Sequence, residues 1–241
     1  MGKSPKETSM DRSSRILLAG AGGYLGSVMT PLLLEQGYEV IAFDKFYFRG
    51  QVLASVANHP RLQIIRGDVR ELDPGLLDEV GTVLDLAALS DDPSSELDAT
   101  WTQEVNRDAA IRLARESQER GVERFLFASS SSVYGTGGDN LLAEDSPLCP
   151  VSLYAKAKVE AEVGILRLSS DSFHPVVLRQ ANLFGVSPRM RFDLAINSMT
   201  LEAATRGQVT IKGDGQEWQP FLHVRDAANA FLACLTAPVE L

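Results

Sequence analysis

Short apolar runs alternate with longer segments of helical period along most of the chain. The apolar runs predict buried strands near residues 15–20, 38–44, 61–68, 82–88, 123–130 and 174–180. The period of the intervening segments predicts helices over about 24–37, 99–120 and 152–170. Because such alternation is typical of right-handed βαβ units, the pattern predicts an α/β fold with a doubly wound parallel sheet.

The alternation becomes less regular after Arg179. A helical segment covers about 191–207, and a final helix is predicted at 225–237. Between them, residues 208–224 are expected to hold two short strands on either side of the turn Gly213-Asp214-Gly215.

The composition excludes some classes of protein. The 241 residues carry a formal net charge of -9, which argues against binding to nucleic acid or to an anionic membrane. Two distant cysteines, Cys149 and Cys234, indicate a reducing, cytoplasmic setting. Cysteine and histidine form no cluster with metal-ligand spacing, and no apolar run reaches the length of a membrane span, so we expect neither a metal nor a membrane partner.

The first predicted strand leads into the sequence GAGGYLG, which includes Gly20, Gly23 and Gly26. In a doubly wound sheet, the loop at this position binds the pyrophosphate of a dinucleotide at the N-terminus of the following helix. The spacing departs from the G-x-G-x-x-G fingerprint. A tight turn that binds nothing would also explain the glycines.

Two acidic residues follow the next strands. Asp44 ends the second strand, 18 residues after Gly26, where a carboxylate can accept hydrogen bonds from both adenosine ribose hydroxyls and would repel a 2′-phosphate. This favours NAD over NADP, although Lys45 could weaken the discrimination. Asp68 is placed to reach the adenine. Each acid could instead cap a turn.

A hydroxyl, a phenol and an ammonium group form a candidate catalytic set. Ser130 lies in ASSSSVYG at the end of the fifth strand, and Tyr154 and Lys158 follow on the next helix. Residues four apart share a helix face, and a nearby ammonium favours the phenolate that can act as a base. A polar turn and an ordinary helix surface are the alternative interpretation.

Taken together, GAGGYLG, FD, GDV, DLAA, ASSSSVYG, PVSLYAKAK and LRQANLFG resemble the extended short-chain dehydrogenase/reductase superfamily, and within it the NAD-dependent sugar epimerase/dehydratase family. The resemblance implies a catalytic triad of Ser130, Tyr154 and Lys158. It implies that Tyr154, Lys158 and a further set of residues surround NAD, namely Gly20, Gly23, Tyr24, Leu25, Gly26, Asp44, Lys45, Asp68, Val69, Leu86, Ala87 and Ala88. It also implies Ser131, Asn182 and Gln219 on the substrate side.

The resemblance also sets the expected domain organisation. Residues 1–13 would be a flexible segment, 14–178 a Rossmann-type NAD-binding domain, and 179–241 a small, truncated substrate-binding lobe interleaved with the last Rossmann elements. Family members usually continue well past the position of Leu241. Many carry an arginine that contacts the nucleotide-phosphate portion of the substrate where this chain has Gln219.

These features favour an NAD-dependent nucleotide-sugar epimerase that oxidises carbon 4 transiently. Ser131 and Ser132 stand where dehydratases of the superfamily have an Asp-Glu pair, which argues against 4,6-dehydration. A dehydratase or ketoreductase remains an alternative, as does a catalytically silent NAD-binding protein. The resemblance further implies a homodimer formed through the helix that carries Tyr154.

Overall fold

The computed structural model describes residues 12–47, 51–90, 98–136, 141–211, 213–216 and 218–238. Most of the N-terminal segment expected to be flexible, residues 1–11, lies outside the described residues, and Arg12–Ser14 form a 3-10 turn. The strands are β1 (Arg15–Ala19), β2 (Glu39–Asp44), β3 (Leu62–Arg66), β4 (Thr82–Asp85), β5 (Arg124–Ser130), β6 (His174–Gln180), β7 (Asn182–Phe184) and β8 (Phe221–His223). The α-helices are α1 (Gly26–Glu35), α2 (Ala99–Gln103), α3 (Ala110–Glu119), α4 (Leu153–Leu166), α5 (Ala195–Arg206) and α6 (Val224–Thr236).

Six strands form one parallel sheet in the order β3-β2-β1-β4-β5-β6. This confirms the predicted doubly wound α/β fold. The chain leaves β3 at one edge and re-enters the sheet at β4, on the other side of β1. The direction of winding therefore reverses between β1 and β4, and a crevice opens at the carboxyl ends of these strands.

Both faces of the sheet are covered by helices, which explains why the strands read as continuous apolar runs. On one face, Phe125 and Phe127 of β5 belong to the same buried cluster as Leu113 of α3 and Ile165 of α4. On the other face, Leu18, Met29, Leu33 and Phe231 belong to a cluster built with α1 and α6. Helix α1 continues through Pro31.

The helical segment predicted as one helix over 99–120 contains an irregular turn. Helices α2 and α3 are joined by a π-helical segment, Glu104–Ala109. Asn106 lies within it and is fully buried. Its side-chain amide accepts a hydrogen bond from the backbone N–H of Leu89 (2.8 Å) and donates to the carbonyl of the same residue (3.0 Å). The segment therefore fastens the loop that follows β4.

The C-terminal part differs from the expectation. Residues 208–211 form no strand, so the prediction of a strand before the Gly213-Asp214-Gly215 turn is wrong. Strand β8 pairs instead with β7, in parallel. The backbone N–H of Thr210 donates to the side chain of Glu202 on α5 (2.9 Å), so this backbone group bonds to a helix side chain and not to a neighbouring strand.

Candidate cofactor and active site

A cavity of about 590 Å³ lies at the carboxyl ends of the central strands, a volume within the usual range of ligand pockets. It brings together most of the residues proposed from the sequence. They are Gly20, Gly23, Tyr24, Leu25, Gly26, Asp44, Lys45, Asp68, Val69, Leu86, Ala87, Ala88, Ser130, Tyr154, Lys158 and Asn182. Ser131 and Gln219 are not among the described residues that line it.

The glycine loop between β1 and α1 is packed too tightly for side chains. A Cβ atom on Gly26 would lie 2.1 Å from the carbonyl oxygen of Gly20, and Gly20 itself has a φ of +83°. A Cβ on Gly22 would come within 3.0 Å of the Asp44 carboxylate. Glycine at these positions therefore allows the loop to fold back on itself and α1 to begin beside the cavity.

Asp44 holds the loop and also lines the cavity. Its carboxylate accepts hydrogen bonds from the backbone N–H groups of Gly22 (3.1 Å) and Phe46. Burial raises the pKa of Asp44, and these two hydrogen bonds partly offset that effect. A carboxylate has about four lone-pair sites, so two remain for ribose hydroxyls. Capping and ligand binding are thus compatible roles for this residue.

Asp68 sits at the centre of a charged cluster at the end of β3. It caps the turn Val69–Glu71 by accepting from the backbone N–H of Arg70 (3.0 Å). Its carboxylate also binds the side chains of Lys45 (2.6 Å) and Arg70 (2.7 Å). The Arg70 guanidinium, followed by Lys45, holds the pKa of Asp68 well below its usual range.

Other side chains of this region line the cavity and were missed in the sequence. Among them are Tyr47, Arg70 and Trp101. The Lys45 ammonium lies 4.8 Å from the ring centroid of Tyr47 and 5.9 Å from that of Trp101. Arg70 could have been suspected because it follows Asp68 by two positions. Trp101 gave no local signal, since α2 brings it to the cavity from a distant part of the chain.

Helix α4 presents Tyr154 and Lys158 to the cavity on one face. The helix begins at Leu153, where Ser152 acts as the N-cap by accepting from the N–H of Ala155 (3.2 Å). The Lys158 ammonium is buried, donates to the carbonyl of Ala128 (2.8 Å) and lies 5.8 Å from the Tyr154 ring centroid. The predicted pairing of phenol and ammonium thus has a geometric basis.

Lys158 faces two buried carboxylates that the sequence did not single out. Burial lowers the pKa of Lys158 to about 8, while the negative charges of Asp85 and Glu162 act in the opposite direction. Burial raises the pKa of Asp85 to about 6. One Asp85 oxygen accepts from the N–H of Ala87 (3.1 Å), and the other has no hydrogen-bond partner among the described residues. A charged residue within the apolar run TVLDLAA was the available signal.

Glu162 also forms an ion pair behind the cavity. It is 2% exposed and forms a salt bridge with Arg179 of β6 (2.7 Å). Ser129 also donates to its carboxylate. Arg179 reaches on to the hydroxyl of Tyr134 (2.9 Å). These contacts connect β5, β6 and α4 directly behind the residues that face the cavity.

Ser130 lies at the end of β5 as predicted. Its hydroxyl oxygen accepts hydrogen bonds from the backbone N–H (3.1 Å) and from the hydroxyl (2.9 Å) of Ser132. Because both acceptor sites of the oxygen are used, its own proton remains to be donated to an oxygen atom in the cavity. Ser131 begins the 3-10 turn that follows, Ser131–Tyr134.

The substrate-side residues come from β7 and the segment after it. The Asn182 amide donates to the side-chain oxygen of Gln219 (2.9 Å), so these two predicted residues are in contact. Arg189, Arg191 and Asp193 line the cavity and were not singled out in the sequence. Arg191 and Asp193 stand at the start of the segment predicted as helical from about 191, but the helix begins only at Ala195, and no motif marks the residues before it.

The hydroxyl of Tyr24 ties the glycine loop to this segment. It donates to the carbonyl of Gly185 and accepts from the side chain of Asn197 (3.1 Å). Asn197 also accepts from the N–H of Gly185 (3.0 Å) and donates to the carbonyl of Arg191 (2.9 Å). The loop on one side of the cavity and the segment on the other are therefore joined through buried hydrogen bonds.

The residues present fit a dinucleotide. A glycine loop that a Cβ would obstruct adjoins the start of α1, and the Asp44 carboxylate has lone pairs left for ribose hydroxyls. Among the described residues, no group of three or more His, Cys, Asp or Glu side chains could hold a metal ion. No helix in the described ranges has the length and apolar content needed to cross a membrane.

Comparisons with known proteins agree with this site. The model of the NAD dependent epimerase/dehydratase family matches residues 16–241. A UDP-glucose 4-epimerase from Mycolicibacterium smegmatis is 30% identical over 228 residues, which cover 90% of this chain and 72% of that protein. A dTDP-D-glucose 4,6-dehydratase from Mus musculus is 28% identical over 233 residues, covering 93% of this chain and 65% of that protein.

A solved structure shows the same fold with ligands. MoeE5 in complex with UDP-glucuronic acid and NAD is 32% identical in sequence, with a TM-score of 0.81. The match covers 93% of this chain and 73% of that one. The family and the cofactor predicted from the sequence are therefore confirmed. The similar proteins include both epimerases and dehydratases, so they do not distinguish between these two reactions. The chain belongs to the NAD dependent epimerase/dehydratase family of enzymes, with NAD as its cofactor.

Proposed function

We propose that the protein is an epimerase that inverts carbon 4 of a nucleotide sugar through transient oxidation. The observation that carries the proposal is that Ser130, Tyr154 and Lys158 line the same cavity as the glycine loop. The similarity to a UDP-glucose 4-epimerase and to MoeE5, solved with UDP-glucuronic acid, supports a nucleotide sugar as the substrate class.

We place the adenosine of the cofactor between Asp44 and Asp68, the pyrophosphate at the glycine loop, and the nicotinamide end beside Lys158. Support comes from the strand order, because sheets wound in this way bind dinucleotides across the switch point with the pyrophosphate at the first loop. NAD supplies the hydride acceptor and donor for carbon 4 when it is bound. Lys158 gives one N–H to Ala128 (2.8 Å), which leaves two for ribose hydroxyls.

Tyr154 acts as the base in this proposal. It accepts the proton of the 4-hydroxyl as the carbon–hydrogen bond breaks, and it returns the proton after the ketone has turned over in the site. The buried ammonium of Lys158, 5.8 Å from the ring centroid, favours the phenolate form because little solvent screens its charge. Ser130 donates its hydroxyl proton to the sugar oxygen and so stabilises the negative charge that develops there.

Epimerisation is favoured over 4,6-dehydration by the acids near the site. Dehydration needs an acid and a base in addition to Tyr154. At the two positions after Ser130, where dehydratases of the superfamily have an Asp-Glu pair, this chain has Ser131 and Ser132. Among the described residues that line the cavity, the carboxylates are those of Asp44, Asp68 and Asp193, and each is hydrogen-bonded to protein groups. Glu144 and Asp145 are exposed and are not among the described lining residues.

The test is an incubation with UDP-glucose, UDP-glucuronic acid, UDP-N-acetylglucosamine and dTDP-glucose in turn, with product analysis by NMR. We expect one of them to give a mixture of two sugars that differ in configuration at carbon 4. A 4-keto-6-deoxy sugar as the product would overturn the proposal in favour of a dehydratase. Binding of NAD without turnover of any sugar would count against an epimerase of these substrates.

A further inference from the structure

We propose that Asp68 enforces the choice of NAD over NADP by holding Lys45 and Arg70, two cations that would otherwise bind a 2′-phosphate. The inference rests on the proposed position of the adenosine between Asp44 and Asp68. Asp44 would exclude the phosphate directly, through its own charge. Asp68 would exclude it indirectly, because it occupies the positive groups that could compensate for Asp44.

The position of the two cations supports this role. Lys45 directly follows Asp44, and both it and Arg70 line the cavity. The 2′-phosphate of a ribose bound at Asp44 would therefore lie near Lys45 and Arg70, and both kinds of side chain recognise phosphate well. On sequence alone, Lys45 looked able to weaken the discrimination against NADP.

The contacts show that both cations are already engaged. The Lys45 ammonium lies 2.6 Å from a carboxylate oxygen of Asp68. The Arg70 guanidinium lies 2.7 Å from the same oxygen, and its other end lies 2.6 Å from Glu104. The carboxylates of Asp68 and Glu104 thus pair with both cations, while the Asp44 carboxylate, which lines the same cavity, accepts its hydrogen bonds from backbone N–H groups. A 2′-phosphate would therefore add negative charge beside Asp44, where both neighbouring cations are already paired.

Asp68 is also suited to this role by its burial. Its side chain is 11% exposed, whereas the side chains of Lys45 and Arg70 are 33% and 27% exposed. The acid is therefore the fixed centre of the cluster, and the longer cations extend from it. Since their charges hold the pKa of Asp68 far below neutrality, the acid keeps its charge under all ordinary conditions.

The test is the variant Asp68→Asn. Asparagine is a good N-cap, so the turn Val69–Glu71 keeps the acceptor for the Arg70 N–H. The affinities for NAD and NADP are measured by calorimetry, and the ratio of the two dissociation constants is compared with that of the unmodified protein. Any contact of Asp68 with the adenine is common to both cofactors and cancels in this ratio. We expect the preference for NAD to fall at least about tenfold.

Two control variants make the result specific. In Asp68→Asn,Lys45→Met, most of the gain of NADP binding should be lost, because the released ammonium is absent and the Arg70 guanidinium stays paired with Glu104. Asp73→Asn removes the same charge from the cap of the next 3-10 turn, Pro74–Leu77, and Asp73 is exposed and not among the described lining residues. It should leave the ratio unchanged.

The possible outcomes separate this inference from the proposed function. If Asp68→Asn weakens NAD and NADP by the same factor, the inference is wrong and Asp68 serves only the adenine or the fold. If the Asp44→Ala and Asp68→Asn variants both bind NAD as tightly as the unmodified protein does, the proposed position of the adenosine is wrong. A lower NAD preference that persists in the double variant would also overturn the role given to Lys45.

Discussion

At the carboxyl ends of β2 and β3, oppositely charged side chains form direct ion pairs near the surface. Beside β4 and β5, the charged side chains are buried, and Asp85 and Lys158 interact without a direct hydrogen bond. Lys45 and Asp68 are 2.6 Å apart, and solvent reaches a third of the lysine side chain. Asp85 and Lys158 are each 1% exposed, and one Asp85 oxygen has no hydrogen-bond partner among the described residues.

The difference indicates two uses of charge within one cavity. A direct, partly solvated ion pair contributes little to stability and scarcely alters what the groups can do near neutral pH. It is well suited to selecting a ligand. Burial disfavours both charged forms, so it lowers the pKa of Lys158 to about 8 and raises that of Asp85 to about 6, and the attraction between the two charges offsets only part of each shift. That arrangement suits proton transfer.

The largest expected effect comes from removing the acid–base hydroxyl at the buried end. Tyr154→Phe keeps the ring, and it should lower kcat by about 10²–10⁴-fold while NAD affinity stays within about twofold. Steady-state kinetics on the sugar found to be the substrate, together with calorimetry for NAD, measure the two quantities. If the variant kept the unmodified rate, Tyr154 would be a structural residue, and the buried charges beside β4 and β5 would have no demonstrated role in proton transfer.

Removing one cation from each end compares their contributions to stability. Arg179→Met removes the salt-bridge partner of the buried Glu162. Among the described residues, this carboxylate then keeps the Ser129 hydroxyl and the charge of Lys158, so we expect a loss of about 3–5 kcal/mol in the free energy of unfolding. Lys45→Met removes a partly solvated partner and should change that free energy by less than about 1 kcal/mol. Urea denaturation of both variants gives the comparison. Equal losses of unfolding free energy in the two variants would mean that burial does not make the Arg179 ion pair more important for stability than the Lys45 ion pair.

The smallest effect concerns the dependence of stability on pH. The pKa of Asp85 is raised to about 6 in the folded protein, so the folded state binds the proton more tightly than the unfolded state. The stabilisation is full below the unfolded pKa of about 4 and is lost as pH rises through about 6. In Asp85→Asn this contribution, which amounts to roughly 3 kcal/mol when full and is mostly lost between about pH 4 and 6, should be absent.

Denaturation series for the unmodified protein and the variant across that range test this expectation. Other carboxyl groups titrate there as well, and subtracting the two series removes their contribution. The same substitution removes a negative charge that favours the charged form of Lys158, so the pKa of the lysine should fall further from its usual value. Identical slopes in the two proteins would show that Asp85 titrates normally.

The sheet was predictable because its signals are local. Strands β1, β2 and β4 are apolar runs that end at an aspartate or just before a glycine, and burial on both faces removes the alternation that would otherwise complicate the pattern. The spacing of Tyr154 and Lys158 was equally local, since four residues make about one helical turn. The segment at 208–211 has a strand-like composition, but a strand needs a partner, and β8 pairs with β7 instead.

The surroundings of the site could not be predicted from local patterns. Asp85 and Lys158 are 73 positions apart in the sequence, and only the packing of α4 against the sheet brings their charges together. The same holds for Trp101 and Arg191, which reach the cavity from segments that no motif connects to it. Charged partners acting across the fold leave no spacing rule in a single sequence.

The π-helical segment Glu104–Ala109 also bears on how this region tolerates insertions and deletions. A π-helical turn holds one residue more than the α-helical turn that it replaces, so a residue removed there would let the segment become regular α-helix without rotating α3 relative to α2. Ala110, Leu113 and Ala114 would still face the sheet. The cost would fall on the loop after β4, because Asn106 is bonded to both backbone groups of Leu89 and its position depends on the wider turn. A deletion at this position is therefore expected to impair the cavity more than the stability of the fold.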